Sequence, residues 1–302
     1  MAAAIAIIAG VLVLCWGLHS IAGRTPARVE PGTPIEPPVQ SPTEPPDRPV
    51  DGTPVEPVGK PAGETLVPML AIILDDWGYG VAGTKEGLDL PIPLTMAVLP
   101  NGPHSRREAD EGRGRGHEVI LHLPMEALST DHGVAAPEGT ITVDMDTDKI
   151  KRLVEEYIEA VGPVSGLNNH TGSKATADRR VAGAVAEVAA EKGLFVIDSR
   201  TIGNSVLAAV AASAGAPSAK NEVFLDNQRD EEYVKSRLRL AATLARKRGA
   251  IISIGHVDPV TVKAILEMIP EIEEMGVTLV KASRVVEALN VPVMNLADPR
   301  LK

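Results

Sequence analysis

Aromatic side chains are almost missing from this sequence: two Trp, three Tyr and two Phe in 302 residues. Long glycan grooves stack sugar rings on aromatic faces at successive subsites, so a long multi-subsite groove is not expected. Cysteine occurs once, as Cys15 inside the N-terminal apolar run. No intrachain disulfide can form, although a large core makes disulfides unnecessary and an oxidising compartment stays open. Clustered basic charge is also lacking. The net charge is −10, and the densest basic group, Arg106, Arg107, Arg113 and Arg115, is interleaved with Glu108, Asp110 and Glu111. That stretch reads as a solvated helix face. Phosphate backbones require a clustered Lys/Arg surface, so nucleic acid is not an expected partner.

Apolar residues are not scarce. At 44% they can bury a core, and the length allows one large α/β domain with appendages. Ala2–Ala22 is almost unbroken apolar sequence, long enough to span a bilayer as a helix or to serve as an export signal. Arg24 and Arg28 follow it and would draw that end inward by the positive-inside rule. What comes next argues the other way. Thr25–Pro68 holds 13 of the 25 prolines, in repeats such as GTPIEPP and SPTEPP. It has too few large apolar residues to pack, and as a polyproline spacer it reaches at most roughly 130 Å at about 3.1 Å per residue. The sequence therefore divides into a membrane anchor or signal segment (1–24), a Pro-rich stalk (25–68) and a globular domain (69–302). The expected location is extracytoplasmic, anchored to or exported across the membrane.

From Met69 onward, short apolar runs alternate with amphipathic stretches. Strands are expected at Leu70–Leu74, Leu94–Leu99, Glu118–Leu123, Ser165–Asn168, Leu194–Ile197, Glu222–Leu225, Ala250–Ile254 and Val277–Val280. Helices are expected at Thr147–Ala160, Asp178–Lys192, Glu231–Lys247 and Val260–Met275. This alternation predicts a parallel sheet with helices outside, and seven or eight units predict a β/α barrel, distorted or incomplete.

Polar residues gather where those strands stop. Asp75 and Asp76 follow the first, and His122 and then Glu126 come at the third. Asn168, Asn169 and His170 end the fourth, Asp198 follows the fifth, Asp226 the sixth, and His256 closes the seventh. In a β/α barrel all these ends share one face, where active sites are built. Mixed Asp/His ligation suits Zn²⁺ or a similar divalent ion, which activates water and polarises a carbonyl. A carboxylate outside the metal set can take the proton of the water, and a histidine can protonate the leaving group. Adjacent Asp75 and Asp76 can divide these roles if strand alternation aims them apart. Asn168 and Asn169 would orient His170, donate to an oxyanion or cap a loop. Asp198 and Arg200 form either a pair that orients a ligand or a structural ion pair. Trp77 is either a sugar platform or core. His104, His117 and His132 read as surface or structural.

The motifs resemble the polysaccharide deacetylase superfamily, and more closely its divergent branch. LDDWG (Leu74–Gly78) resembles the first motif, and GHEVILH (Gly116–His122) resembles the approach to the second. HLPME (His122–Glu126), GLNNHTGS (Gly166–Ser173), FVIDSRT (Phe195–Thr201), VFLDN (Val223–Asn227) and IGH (Ile254–His256) match the divergent branch, covering roughly Met69–Leu289. The resemblance implies the NodB-like deacetylase fold and removal of acetyl groups from an envelope carbohydrate. It implies Asp75 as base, Asp76 and His122 as metal ligands, and His256 as the acid. The superfamily carries a second metal-binding histidine where this chain has Glu126. His170 is the expected replacement, with Glu126 as its competitor and Asn169, Asp198 and Arg200 as supporting residues. That departure, with the scarce aromatics, leaves an alternative: a non-catalytic envelope-binding or scaffolding module that retains the fold.

The two-part layout carries its own test. Limited proteolysis should cut within Thr25–Pro68 and leave Met69–Leu289 intact, because the first segment cannot repay the entropy of ordering. A compact, protected 25–68 segment would contradict it.

Overall fold

A computed structural model describes residues 67–128 and 139–290. The expected N-terminal segment and nearly all of the Pro-rich stalk lie outside the described residues. Among those described, no helix is long and apolar enough to cross a membrane.

The chain alternates β1 (Met69–Trp77), α1 (Thr84–Leu88), β2 (Thr95–Val98), α2 (Ser105–Gly114), β3 (Glu118–Met125), α3 (Thr147–Val161), β4 (Gly166–Thr171), α4 (Arg179–Glu191), β5 (Phe195–Asp198), α5 (Leu207–Ser213), β6 (Ser218–Phe224), α6 (Glu231–Arg248), β7 (Ala250–His256), α7 (Pro259–Glu274), β8 (Thr278–Val280) and α8 (Ala282–Leu289). Each of the eight expected strands and four expected helices has a counterpart here. Three short helices, α1, α5 and α8, were not expected; five to eight residues are too few to show a period. Strand β6 starts at Ser218 rather than Glu222, because its polar first turnless stretch pairs with β5 through Val196 and Ser218.

All pairings between the named strands are parallel, in the order β2-β3-β4-β5-β6-β7-β1, and β1 also pairs with β2 to close the ring. The result is a closed seven-stranded barrel with β8 added alongside the start of β1. This bears out the expected parallel barrel of seven to eight strands, with seven of them closing the ring.

Period-2 alternation assigns each strand residue a side. Leu70, Ile72 and Leu74 face the helix layer, while Ala71 and Ile73 fill the interior. Leu121 and Leu123 face out and Ile120 faces in; Val196 faces out, Phe195 and Ile197 in. Extended toward the strand ends, the same parity turns Asp75, His122, Asn168, His170, Ser199, Asp226 and His256 inward. The long outer helices start at the same end, and four carboxylates cap them: Asp146 on α3, Asp178 on α4, Asp230 on α6 and Asp258 on α7. These aspartates are structural, which separates them from the inward set.

The opposite end is sealed by α8. Ala282, Val285 and Val286 join the interior cluster. Thr95 Oγ1 accepts from the Ala282 N–H (2.9 Å) and Glu118 Oε2 from the Ser283 N–H (3.0 Å), while Asn290 Nδ2 donates to the Ser218 carbonyl (3.0 Å). Thr95, Glu118 and Ser218 are the first residues of β2, β3 and β6, so the helix crosses the floor. Thr95 is fully buried and also donates to Glu118. Thr95→Val keeps its shape but leaves the Ala282 N–H and one Glu118 lone pair without partners. Denaturant unfolding should show a loss of about 1–3 kcal/mol, with metal content unchanged.

Candidate metal centre and acid–base pair

Asp75 and Asp76 do not follow the alternation expected of them. Leu74 pairs with Met96 and Trp77 with Val98, so both aspartates stand opposite Ala97 in a β-bulge. Asp76 takes φ 67, a left-handed conformation that turns its carboxylate back toward the interior. Both carboxylates thus meet one imidazole: His122 Nε2 lies 3.5 Å from Asp75 Oδ2 and 3.4 Å from Asp76 Oδ1. The chain after the bulge is pinned by Glu108, whose carboxylate accepts from Gly78 N (2.7 Å) and Gly80 N (2.9 Å). Glu108 is buried, so this part of α2 is not the solvated face its charge pattern suggested. Gly78 has φ +119, and a Cβ there would fall 2.6 Å from Ser105 Oγ. Trp77 is wholly buried against the outer helices, which rules out the sugar-platform role.

His170 completes a tight group. Its Nδ1 is 3.1 Å from His122 Nε2 and 3.2 Å from Asp76 Oδ1. Asp76 Oδ1 is buried and takes no hydrogen bond. Three potential ligand atoms therefore face a common point, the one such metal-capable group among the described residues. Tetrahedral zinc with bonds of about 2.0–2.2 Å needs ligand atoms roughly 3.3–3.5 Å apart, so these residues fit the ion. Burial pushes Asp76 upward, yet the two imidazoles outweigh it and hold the carboxyl well below its ordinary value. His122 is also buried, and Asp75 and Asp76 raise its pKa in spite of that.

Asn168 sets the tautomer of His122. Its Nδ2 donates to Asp75 Oδ1 (3.0 Å) and to Ser199 Oγ (3.3 Å), which leaves Oδ1 to face His122 Nδ1 at 2.8 Å. An amide oxygen only accepts, so Nδ1 carries a proton and Nε2 is the ring nitrogen left to ligate an ion. Asn168 thus orients His122 and Asp75, not His170. Asn169 instead ties β4 to the turn after β5, accepting from Ser199 N (2.9 Å) and taking the Ser199 hydroxyl on its carbonyl. Asp75, almost fully buried, is raised from its ordinary value chiefly by burial, with His122 opposing.

The acid candidate stands on the neighbouring strand. His256 pairs in register with Asp75, and its Nδ1 lies 3.1 Å from Asp226 Oδ1. Asp226 Oδ2 accepts from the His256 N–H (2.7 Å) and Thr261 Oγ1 (2.9 Å). Burial of the inner ring edge disfavours the charge, but Asp226 outweighs it, and His256 is pushed up to about 10. In the sequence Asp226 reads only as a residue following the sixth strand; its inward parity is the signal for its contact with His256.

Other expected site residues fall elsewhere. Glu126 is not in the group: its carboxylate accepts from Lys174 Nζ (2.6 Å) and Val143 N (2.8 Å) and anchors two loops. Asp198 points away from the interior and accepts from Arg200 N (2.8 Å) and Ser205 Oγ (2.8 Å), so its link to Arg200 is through backbone, not an ion pair. His117 is structural, bonded to the Leu88 carbonyl at 3.0 Å. His132 lies outside the described residues. Three non-glycine residues have positive φ among those described, Asp76, Thr171 and Arg200, and all lie at this mouth. Each such conformation costs roughly 1–3 kcal/mol and clusters at functional sites.

The model of the family described as divergent polysaccharide deacetylase matches residues 72–286. The chain belongs to the divergent polysaccharide deacetylase family. It is 35% identical over 234 residues to the uncharacterized protein YibQ of Escherichia coli strain K12, covering 78% of this chain and 71% of that one. A Haemophilus influenzae protein, also uncharacterized, is 32% identical over 205 residues, 67% of this chain and 72% of its own. Among solved structures, the uncharacterized protein ATU2773 from Agrobacterium tumefaciens superposes with a TM-score of 0.69 at 21% identity, over 74% of this chain and 91% of that one. The seven-stranded barrel is the NodB-like deacetylase fold. Glu126 stands outside the metal-capable group, and His170 enters that group from β4.

The raised His256 is directly testable. Its imidazole C–H resonance should titrate near pH 10, and in Asp226→Asn the midpoint should move down toward 6.5. Since the folded value exceeds the unfolded one, the stabilisation is full below about pH 6.5 and is lost as pH rises through about 10. An unchanged midpoint in the variant would assign the shift to another group.

Proposed function

We propose that the chain is a metal-dependent hydrolase removing acetyl groups from a carbohydrate of the cell envelope, with Asp76, His122 and His170 holding zinc or a similar divalent ion. The observation that carries this reading is the convergence of Asp76 Oδ1, His122 Nε2 and His170 Nδ1 within 3.1–3.4 Å, with Asp76 Oδ1 buried and without a hydrogen bond. A divalent ion with three protein ligands keeps an open position, where it supplies Lewis acidity to a carbonyl and activates water at neutral pH.

The chain's own groups divide the proton work. Asp75 lies beside the ligand group without completing it, and Asn168 fixes one of its oxygens. Its raised pKa suits a base that takes a proton from attacking water. His256 stays protonated at neutral pH through Asp226 and donates that proton to the departing amine or alkoxide. Asp75 and His256 are register partners on the adjacent strands β1 and β7, which supports a base and an acid working at one site. Membership of the deacetylase family supports an acetylated carbohydrate as substrate. The apolar N-terminal segment and the proline-rich stretch support a membrane-tethered, extracytoplasmic site of action.

A non-catalytic binding module would not require the buried Asp75 and His122 to stand beside a metal-capable group and a second histidine, since unpaired buried polar groups are costly. The experiment is acetate release from acetylated amino-sugar oligomers, with metal content measured in parallel. The protein should bind about one divalent ion per chain, and His170→Ala should lose most of it. Asp75→Asn should keep metal and fold but lose about 10²- to 10⁴-fold in rate, the usual contribution of a general base. A protein that binds no metal would replace this reading with the binding module.

A further inference from the structure

The turn after β5 presents one cation in an unusual way. The βα loops of the seven barrel strands contain three Lys or Arg residues among those described: Lys174, Arg200 and Arg229. Lys174 is paired with Glu126, and Arg229 with Asp258. Arg200 is exposed, and among the described residues no ion pair or hydrogen bond engages its guanidinium.

Its backbone, in contrast, is held on every side. Arg200 has φ 58, a conformation glycine adopts freely and L side chains avoid. The buried Asp198 carboxylate accepts its N–H, and Ser205 holds the other Asp198 oxygen. Ser199 bonds to Asn169 through both its N–H and its hydroxyl, and Thr201 Oγ1 donates to the Thr171 carbonyl (2.8 Å). Arg200 lies between Ser199 and Thr201 as His170 lies between Asn169 and Thr171. The bonds of Ser199 to Asn169 and of Thr201 to Thr171 hold the Arg200 backbone against the end of β4 that carries His170. If the turn alone mattered, glycine would serve without strain; what this position adds is the guanidinium.

Asp75, Asp76, Asp226 and the capping aspartates Asp146, Asp178, Asp230 and Asp258 lie at the same end, but Asp226 is paired with His256 and Asp258 with Arg229. Among the described residues, Arg200 is the Lys or Arg of these loops with no carboxylate partner, so its charge is available to an anionic group. The guanidinium fork matches the paired oxygens of a carboxylate or phosphate.

We propose that Arg200 is a specificity residue that binds an anionic oxygen group, carboxylate or phosphate, carried by the acetylated glycan next to the sugar that loses its acetyl group. The inference rests on the deacetylase reading for the identity of the glycan. The binding measurement below stands without it.

The test uses the full chain loaded with zinc and three acetylated amino-sugar oligomers of equal length: neutral, carboxylate-bearing and phosphate-bearing. Calorimetry gives affinity and acetate release gives rate. The protein should bind at least one anionic oligomer about 10-fold more tightly than the neutral one, with the advantage shrinking at high salt. The arm that shows the advantage identifies the anion. Arg200→Gln should abolish the discrimination and Arg200→Lys should retain part of it. Arg200→Gly should also abolish it while matching or exceeding the unmodified thermal midpoint, because glycine relieves the backbone strain. Discrimination in binding without acetate release from any oligomer supports Arg200 and overturns the deacetylase reading alone. Equal affinity for neutral and anionic oligomers, or discrimination that survives in Arg200→Gly, overturns the proposal.

Discussion

The amide of Asn168 has one edge that donates and one that accepts, and neither can be exchanged. Its donor edge meets the Asp75 carboxylate, so its oxygen must meet His122 Nδ1. From that follow a proton on Nδ1 and Nε2 as the ring nitrogen left to ligate an ion, directed at Asp76 and His170. A second contact, to Ser199, carries the same orientation to the turn after β5. The Asp75 carboxylate, the His122 ring and the neighbouring loop are therefore set by one buried side chain, and none of them could be reoriented alone. Leucine at this position would fill the space but leave both proton positions undefined.

The remaining geometry depends on backbone strain. A regular strand would place Asp75 and Asp76 on opposite faces. The bulge opposite Ala97, with Asp76 in the left-handed region, brings them to one imidazole. Glu108 and the close packing of the Gly78 and Gly102 segments hold that bulge from behind; a Cβ on Gly102 would fall 2.2 Å from the Gly78 carbonyl oxygen. Thr171 and Arg200 repeat the pattern on β4 and β5. The barrel supplies a rigid frame, and the strain is confined to the rim where it directs functional groups.

Much of this was legible because it follows from periodicity. Alternation between apolar strands and amphipathic helices gave the parallel barrel, and inward parity at strand ends gathers Asp75, His122, His170, Asp226 and His256. The resemblance to the divergent branch named most of the same positions. What stayed hidden depends on sequence-distant partners. Glu126 sits in a motif where the wider superfamily continues to a metal-binding histidine, and only folding shows Lys174 and Val143 engaging it. Glu108 looks like any charged residue of an exposed helix until Gly78 and Gly80 are brought to it from a separate loop. Trp77 reads equally as platform or core until the bulge after Leu74 turns it outward into the helix layer. The alternation rule failed for Asp76 for the same reason: a bulge is a property of paired strands and leaves no mark on one strand's sequence.

Closure of the barrel also has consequences in time. Strand β1 is made first, yet its partner β7 begins at Ala250, and β8 and the floor helix α8 come after that. Until those residues exist, the first strand has one full edge and the open interior exposed to water. Pairings of such long sequence separation form slowly, because loop closure must precede the contacts that reward it. As the chain is synthesised from its N-terminus, the ring cannot close until β7 has emerged, and the floor is sealed only when α8 follows. The order of synthesis thus makes the pairing of Asp75 with His256 contingent on the last strand of the ring.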